Sequence, residues 1–224
     1  LAPLVTGLDI SATAFQHMSV AACEVAGLPA RLFRISFTGE LGFEINVPAR
    51  HGMALWHALL DAGGPHGITP YGTETMHVLR AEKGYIIVGQ DTDGTVTPHD
   101  AGLSWAIGKK KADFVGMRSL SRPDMVAPGR KQLVGLLTED PTAVLEEGAQ
   151  IVTDSTRPIP MRMIGHVTSA YWSEALGRSI AMALVEDGHA RMGQTLEIPM
   201  DDVIHSARVV PPLFYDPDGG RLNV

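Results

Sequence analysis

The chain contains a single cysteine, Cys23, in 224 residues. That excludes an internal disulfide and any metal centre built from several thiolates. Aromatic residues are sparse at 6%. No apolar run approaches the roughly 20 residues that a helix needs to cross a bilayer. The N-terminus shows no basic segment followed by an apolar stretch and a small-residue cleavage site, so nothing marks a secretory leader. Lysine and arginine number 18 against 25 acidic residues, for a net charge of −7. A nucleic-acid binder carries the opposite balance. No internal repeat or low-complexity tract interrupts the chain. Together these absences lead us to expect a cytoplasmic protein.

The apolar content of 45% is enough for a packed core and argues against disorder. The length allows one or two domains. The chain opens Leu1-Ala2-Pro3 with no initiator methionine and reads as a piece of a longer protein. Residues 11–26 suggest a helix followed by a strand, and residues 31–47 read as a β-hairpin. Pro48 is suited to the first turn of a helix, where its missing N–H costs nothing. Met53, Trp56, Leu59 and Leu60 follow at helical spacing, and Gly63-Gly64 ends the run. A second helix is expected over residues 73–83.

Ser121-Arg122-Pro123 and Ala127-Pro128-Gly129 mark the best boundary. Beyond it, short β-prone runs cover residues 133–137, 161–169, 180–185, 195–198 and 203–210, separated by turn residues. Such a series suits a small antiparallel barrel. The expected fold is α+β: a partial mixed domain over 1–125 and a β-barrel domain over 128–224.

Several chemistries find no support. None of the nine histidines lies in H-E-x-x-H, and no cysteine cluster assists them. His99 beside Asp100 could form an oriented acid–base pair, but a turn or helix cap is the simpler role for an Asp in that context. Asp91-x-Asp93-Gly94 resembles the start of a calcium loop. Counted from Asp91, however, the sixth and twelfth places hold Val96 and Gly102, not the required Gly and Glu. No phosphate-cradling loop, dinucleotide fingerprint or nucleophilic serine elbow occurs.

The most informative stretch runs from Arg34 to Ile45. Phe33, Ile35 and Phe37 alternate with Arg34 and Ser36. After a break containing Gly39, Leu41, Phe43, Ile45 and Val47 alternate with Glu44 and Asn46. This parity places Arg34, Ser36, Glu44 and Asn46 together on the polar side. A carboxylate there can accept two parallel hydrogen bonds from a flat ligand edge with adjacent N–H donors. Equally, Glu44 could pair with Arg34 across the hairpin.

The segment matches R-x-S-[YF]-T-G-E-x-G-[FWY]-E-I and resembles the folate-binding aminomethyltransferase family. Other segments extend the resemblance along nearly the whole chain. Leu79-Arg80-Ala81-Glu82-Lys83-Gly84-Tyr85 fits L-R-x-E-x-G-[YL], and residues 97–105 fit T-P-x-x-x-x-L-x-W. Asp113-Phe114-Val115-Gly116 fits D-F-x-G, and Gly165-His166-Val167-Thr168-Ser169 fits G-x-V-T-S. Residues 71–80 and 88–95 are most similar to the branch of the family carried by α subunits of heterotetrameric sarcosine oxidases.

The resemblance implies that tetrahydrofolate is the cofactor and that Glu44 holds the pterin edge, with Phe37 and Tyr85 flanking the ring. Phe37 stands where many relatives have tyrosine, and core packing is its competing role. The resemblance also implies that flavin and NAD sit in other regions or subunits, and that the partners include a flavin-bearing β subunit. No catalytic residue is expected in this chain, since the family's catalytic aspartate belongs to an earlier segment. Asp9 does not replace it.

Glycine-cleavage aminomethyltransferases carry a folate-binding arginine where this chain has Met76, which argues against that activity. A non-catalytic binding or assembly module of the same family is the other alternative. One such branch carries K-G-C-[YF]-x-G-Q-E; Lys83-Gly84-Tyr85 and Gly89-Gln90-Asp91 resemble it without the cysteine.

Overall fold

The computed structural model describes residues 1–200 and 202–222. It divides into two compact units, residues 1–77 with 218–224, and residues 78–217. Among the described residues, no helix is long and apolar enough to cross a membrane.

The first unit is a four-stranded antiparallel sheet in the order β1-β2-β3-β4. The strands are β1 (Val5–Thr6), β2 (Ser19–Val25), β3 (Leu28–Arg34) and β4 (Glu44–Asn46). Ala26 and Gly27 join β2 to β3 with φ of 52° and 71°. Two positive φ values in a two-residue loop suit the right-handed twist of the strands they connect. The inner face carries Val25, Ala30 and Leu32, buried, with Cys23 and Ile45 partly so. Helix α1 (Gly52–Gly63) packs against it through Leu55 and Leu59. The helix falls where its spacing predicts, but Met53 and Trp56 stay 67% and 48% exposed. Pro48 precedes a short 3-10 turn, Ala49–His51, which leads into α1.

Helix α2 (Thr73–Glu82) carries the chain from the first unit to the second, its last three residues buried. An irregular segment follows. The chain then forms β5 (Lys131–Thr138), β6 (Gln150–Val152), β7 (Met163–Ser173), β8 (Arg178–Glu186), β9 (Thr195–Met200) and β10 (Val203–Val210). These close into an antiparallel barrel in the order β10-β5-β8-β7-β6-β9. The fold is thus α+β with a small barrel, as the turn-separated β runs indicate.

The barrel interior is filled by Val134, Leu136, Ile151, Ile164, Val167, Ala183, Val185, Ile198 and Val209, among others. β8 is buried on both faces. Ala181, Ala183 and Val185 point inward. Ile180, Met182 and Leu184 form an outer cluster with Leu133 and Ala81, against which Ile86, Val96 and Phe214 pack. A strand covered on both sides must read as an unbroken apolar run, and Ile180-Ala181-Met182-Ala183-Leu184-Val185 does.

Candidate functional site

In the hairpin, Phe33 lies opposite Glu44, Leu32 opposite Ile45 and Arg31 opposite Asn46. The strands end earlier than the alternation suggests. β3 stops at Arg34, and residues 35–43 form a loop instead of two strand ends. Gly42 is required where this loop doubles back, since a Cβ there would sit 2.7 Å from the Ile35 carbonyl oxygen. Phe37 therefore lies in the loop, 40% exposed, and not in the core.

The register also corrects the expected parity. Ala30, Leu32 and Arg34 lie on the buried face of β3, whereas Phe33 and its partner Glu44 lie on the other face. Arg34 is only 2% exposed, and its Nη1 donates to the Phe15 carbonyl oxygen at 2.7 Å. The Arg34–Glu44 cross-strand pair does not form, because the two side chains leave the sheet on opposite faces. Glu44 is exposed at the head of β4, an edge strand. The first unit thus offers a solvent-facing carboxylate on the hairpin and a half-exposed ring on its loop.

Tyr85 belongs to the second unit. Its N–H donates to the Arg80 carbonyl oxygen at 2.9 Å, and its own carbonyl accepts from Arg80 Nη1 at 3.0 Å. With its backbone held at both ends, the ring is only partly buried. Met76 is half-buried on α2.

The other residues of that stretch build the fold. Arg80 and Asp91 form an ion pair with both side chains fully buried. Arg80 Nη2 donates to Ser169 Oγ at 2.7 Å, and its guanidinium carbon lies 5.8 Å from the centre of the Tyr171 ring. Thr168 Oγ1 and Ser169 Oγ donate to Asp91 Oδ1 at 2.6 and 2.7 Å. Two consecutive strand residues normally point to opposite faces. Here a register shift between Val167 and Ser169 brings both hydroxyls to one carboxylate.

Glu82 accepts from Ser173 Oγ at 2.6 Å, and its carbonyl accepts from the Phe214 and Tyr215 amides. Gly84, at φ 68°, lies so close to the Pro212 carbonyl that a Cβ would fall 1.6 Å from that oxygen. Arg80, Glu82 and Gly84 of L-R-x-E-x-G thus each have a structural use. Sequence reasoning missed this network. The signal lay in a basic motif, an Asp and a Thr-Ser motif whose chemistries are complementary.

His99 and Asp100 do not form an acid–base pair. His99 Nδ1 shares a hydrogen bond with Ser104 Oγ at 2.8 Å. Asp100 caps a turn, accepting from the Thr97 amide and hydroxyl, and pairs with Arg130. Burial pushes the Asp100 carboxyl up, but the Arg130 and Thr97 hydrogen bonds outweigh it and hold the group below its ordinary range. Among the described residues, no group of His, Cys, Asp and Glu is arranged to hold a metal ion.

Comparison with known proteins decides the lineage. Residues 1–111 match the GCVT N-terminal domain, and residues 131–216 match the glycine cleavage T-protein C-terminal barrel domain. The second match coincides with the β5–β10 barrel. This chain belongs to the folate-binding aminomethyltransferase family.

Among its relatives, a sarcosine oxidase subunit alpha from Corynebacterium sp. (strain P-1) is 49% identical over the whole of this chain. Another from Rhizobium meliloti is 40% identical over 96% of it. An aminomethyltransferase from Streptomyces coelicolor is 39% identical over 75% of the chain and 44% of its own length. The chain spans only 23% and 22% of the two sarcosine oxidase subunits. The crystal structure of the glycine cleavage system aminomethyltransferase T from Bartonella henselae superposes with a TM-score of 0.71 at 27% identity. It covers 83% of this chain and 50% of that one. Aminomethyltransferase-family architecture therefore accounts for both units described above.

Proposed function

We propose that this chain is the tetrahydrofolate-binding part of a sarcosine oxidase α subunit. The observation that carries the reading is Glu44. Among the described residues, no hydrogen bond or ion pair engages this exposed carboxylate. A pterin presents a ring N–H beside an amino group, and a free carboxylate accepts from both at once. Phe37, half-exposed on the adjoining loop, offers the pterin an aromatic surface beside Glu44, and Tyr85 is proposed to contact the ring on the strength of the family resemblance alone. The 49% identity to a sarcosine oxidase α subunit supports the oxidase over a glycine-cleavage enzyme, as does Met76 in place of arginine.

Bound tetrahydrofolate would supply the amine that takes up the one-carbon unit released from sarcosine, giving methylenetetrahydrofolate and glycine. This chain's contribution is positioning, which raises rate through proximity. Oxidation itself belongs to flavin chemistry on another subunit, a flavin-bearing β subunit, and NAD is likewise assigned to other regions or subunits. We place the assembly in the cytoplasm.

Replacement of Glu44 by glutamine tests the reading. The amide keeps one acceptor but turns an NH₂ toward a donor-rich edge. A hydrogen bond to a charged group contributes about 1.5–3 kcal/mol, so tetrahydrofolate affinity should fall about ten- to hundredfold. Calorimetric titration of both proteins measures it, and equal dissociation constants would remove Glu44 from the site.

A further inference from the structure

Residues 104–124 form a surface with no core of its own, for none of them is buried. Only Ile107, Phe114 and Leu120 are partly withdrawn from solvent. All three line one open cleft of about 560 Å³, together with Leu103 and Val115. Its lining runs from Pro98 to Leu120 within the second unit, so neither chain end shapes it. Val115 is fully exposed at its wall, and Trp105 and Met117, each next in the chain to a lining residue, are 78% and 41% exposed. Large exposed apolar side chains gathered around a cleft mark an interaction surface. Trp, Met and Arg are also the types enriched in protein interfaces.

Charge says what kind of partner this surface fits. Between residues 105 and 122, Lys109, Lys110, Lys111, Arg118 and Arg122 stand against Asp113 alone, a net +4 within a chain of −7. Lys111 itself lines the cleft, and its stem lies over Gly108, where a Cβ would meet Lys111 Cδ at 3.4 Å. A lysine laid down in this way keeps its ammonium in water. Among the described residues, no carboxylate comes within ion-pair distance of Lys109, Lys110, Lys111 or Arg118. Asp113 accepts from the Phe114 amide, and Arg122 pairs with Asp124. Complementary potentials steer and select partners. We propose that residues 103–122 dock an acidic protein segment, its apolar anchor seated between Ile107, Phe114, Val115 and Leu120 and its carboxylates on Lys109, Lys110 and Lys111. Glu44, Phe37 and Tyr85 take no part, so the proposal is independent of the folate reading.

The probe is the synthetic peptide acetyl-Glu-Asp-Glu-Leu-Phe-Asp-Glu-amide. Its controls replace Leu-Phe by Ser-Ser, or every acid by lysine. The acidic apolar peptide should bind saturably, shift the fluorescence of wild type but not of Trp105→Phe, and slow tryptic cleavage after Lys109, Lys110 and Lys111. Both control peptides should bind at least about tenfold more weakly, and raised salt should weaken the probe severalfold by screening. Changing Lys109, Lys110 and Lys111 together to Glu should lower its affinity about tenfold or more, as should Val115→Glu alone. All four side chains are exposed, so these changes leave the fold intact, and the wild-type titration decides in any case. No saturable binding below about 1 mM overturns the proposal, as does equal binding of the Ser-Ser peptide or unchanged affinity in either variant. An oligonucleotide or phosphatidylserine vesicles bound as tightly as the peptide would also overturn it, assigning the face to another class of partner. So would a dimer in sedimentation that Val115→Glu dissolves, since the face would then pair two copies of this chain.

Discussion

Single side chains in this protein divide by the company they keep. Arg80 and Asp91 are fully buried and joined in one hydrogen-bonded network, in which Arg80 Nε is left without a partner, whereas Glu44 has an open face. Removing one partner of a buried pair leaves the other uncompensated. Asp91→Ala should therefore cost about 3–5 kcal/mol, read as a lowered midpoint in chemical denaturation. A loss below about 1 kcal/mol would show that Arg80 finds other acceptors.

Asp100 gives a pH signature. Its folded carboxyl titrates below the ordinary 3.8. Its contribution is thus fully present above that value and is lost as pH falls through the lowered folded value. The stability gap between wild type and Asp100→Asn should be constant near neutrality and shrink below pH 3.8. A gap unchanged into strong acid would assign Asp100 no ionic role. Legibility at this scale was uneven. Glu44 could be picked out by alternation, but Arg34 was misplaced. An arginine in an alternating strand reads as solvent-facing, and only the register with β4 shows that it shares a face with Leu32.

At the scale of elements, local signals served well where one physical cause dominated. α1, α2 and five of the six barrel strands fall near their expected positions, because apolar period and turn residues agree there. β6 was missed because three residues, Gln150–Val152, are too few to show a period. The 35–43 loop was read as strand because its alternation continues past the last paired residue. The β2–β3 turn offers a test. Ala26 holds φ 52°, a left-handed conformation that costs a non-glycine residue about 1–2 kcal/mol. Ala26→Gly relieves that strain at some entropic cost, so we expect a net gain of about 0.5–1 kcal/mol. A rise in thermal midpoint checks it. The opposite outcome belongs to Gly84→Ala, where the new methyl meets the Pro212 carbonyl at a positive φ and should prevent native packing.

For the molecule as a whole, the sequence placed a boundary near residues 121–129, at clustered proline and glycine. The structure shows how the stretch before that point is tied to the barrel within the second unit. Arg80 and Asp91 reach β7, the Leu133 amide donates to the Asp100 carbonyl, and Arg130 grips the Asp100 carboxylate. These are long-range contacts with no local signature, which is why composition could not reveal them. They lead to a prediction that separates where the chain is cut from where it comes apart. Lys109, Lys110, Lys111, Arg118 and Arg122 are exposed in an irregular segment with only one short 3-10 turn. Exposed backbone of this kind is the preferred site of nicking. Limited trypsin treatment should cleave first within residues 109–122. The two products should nonetheless co-elute on native gel filtration, because the buried Arg80–Asp91–Ser169 network joins residues on either side of the cut. They should separate only in denaturant. Asp91→Ala should loosen the nicked complex, so that its fragments part at lower denaturant than those of nicked wild type. Fragments that separate under native conditions after the first cut would show that these contacts are too weak to bind the segment to the barrel.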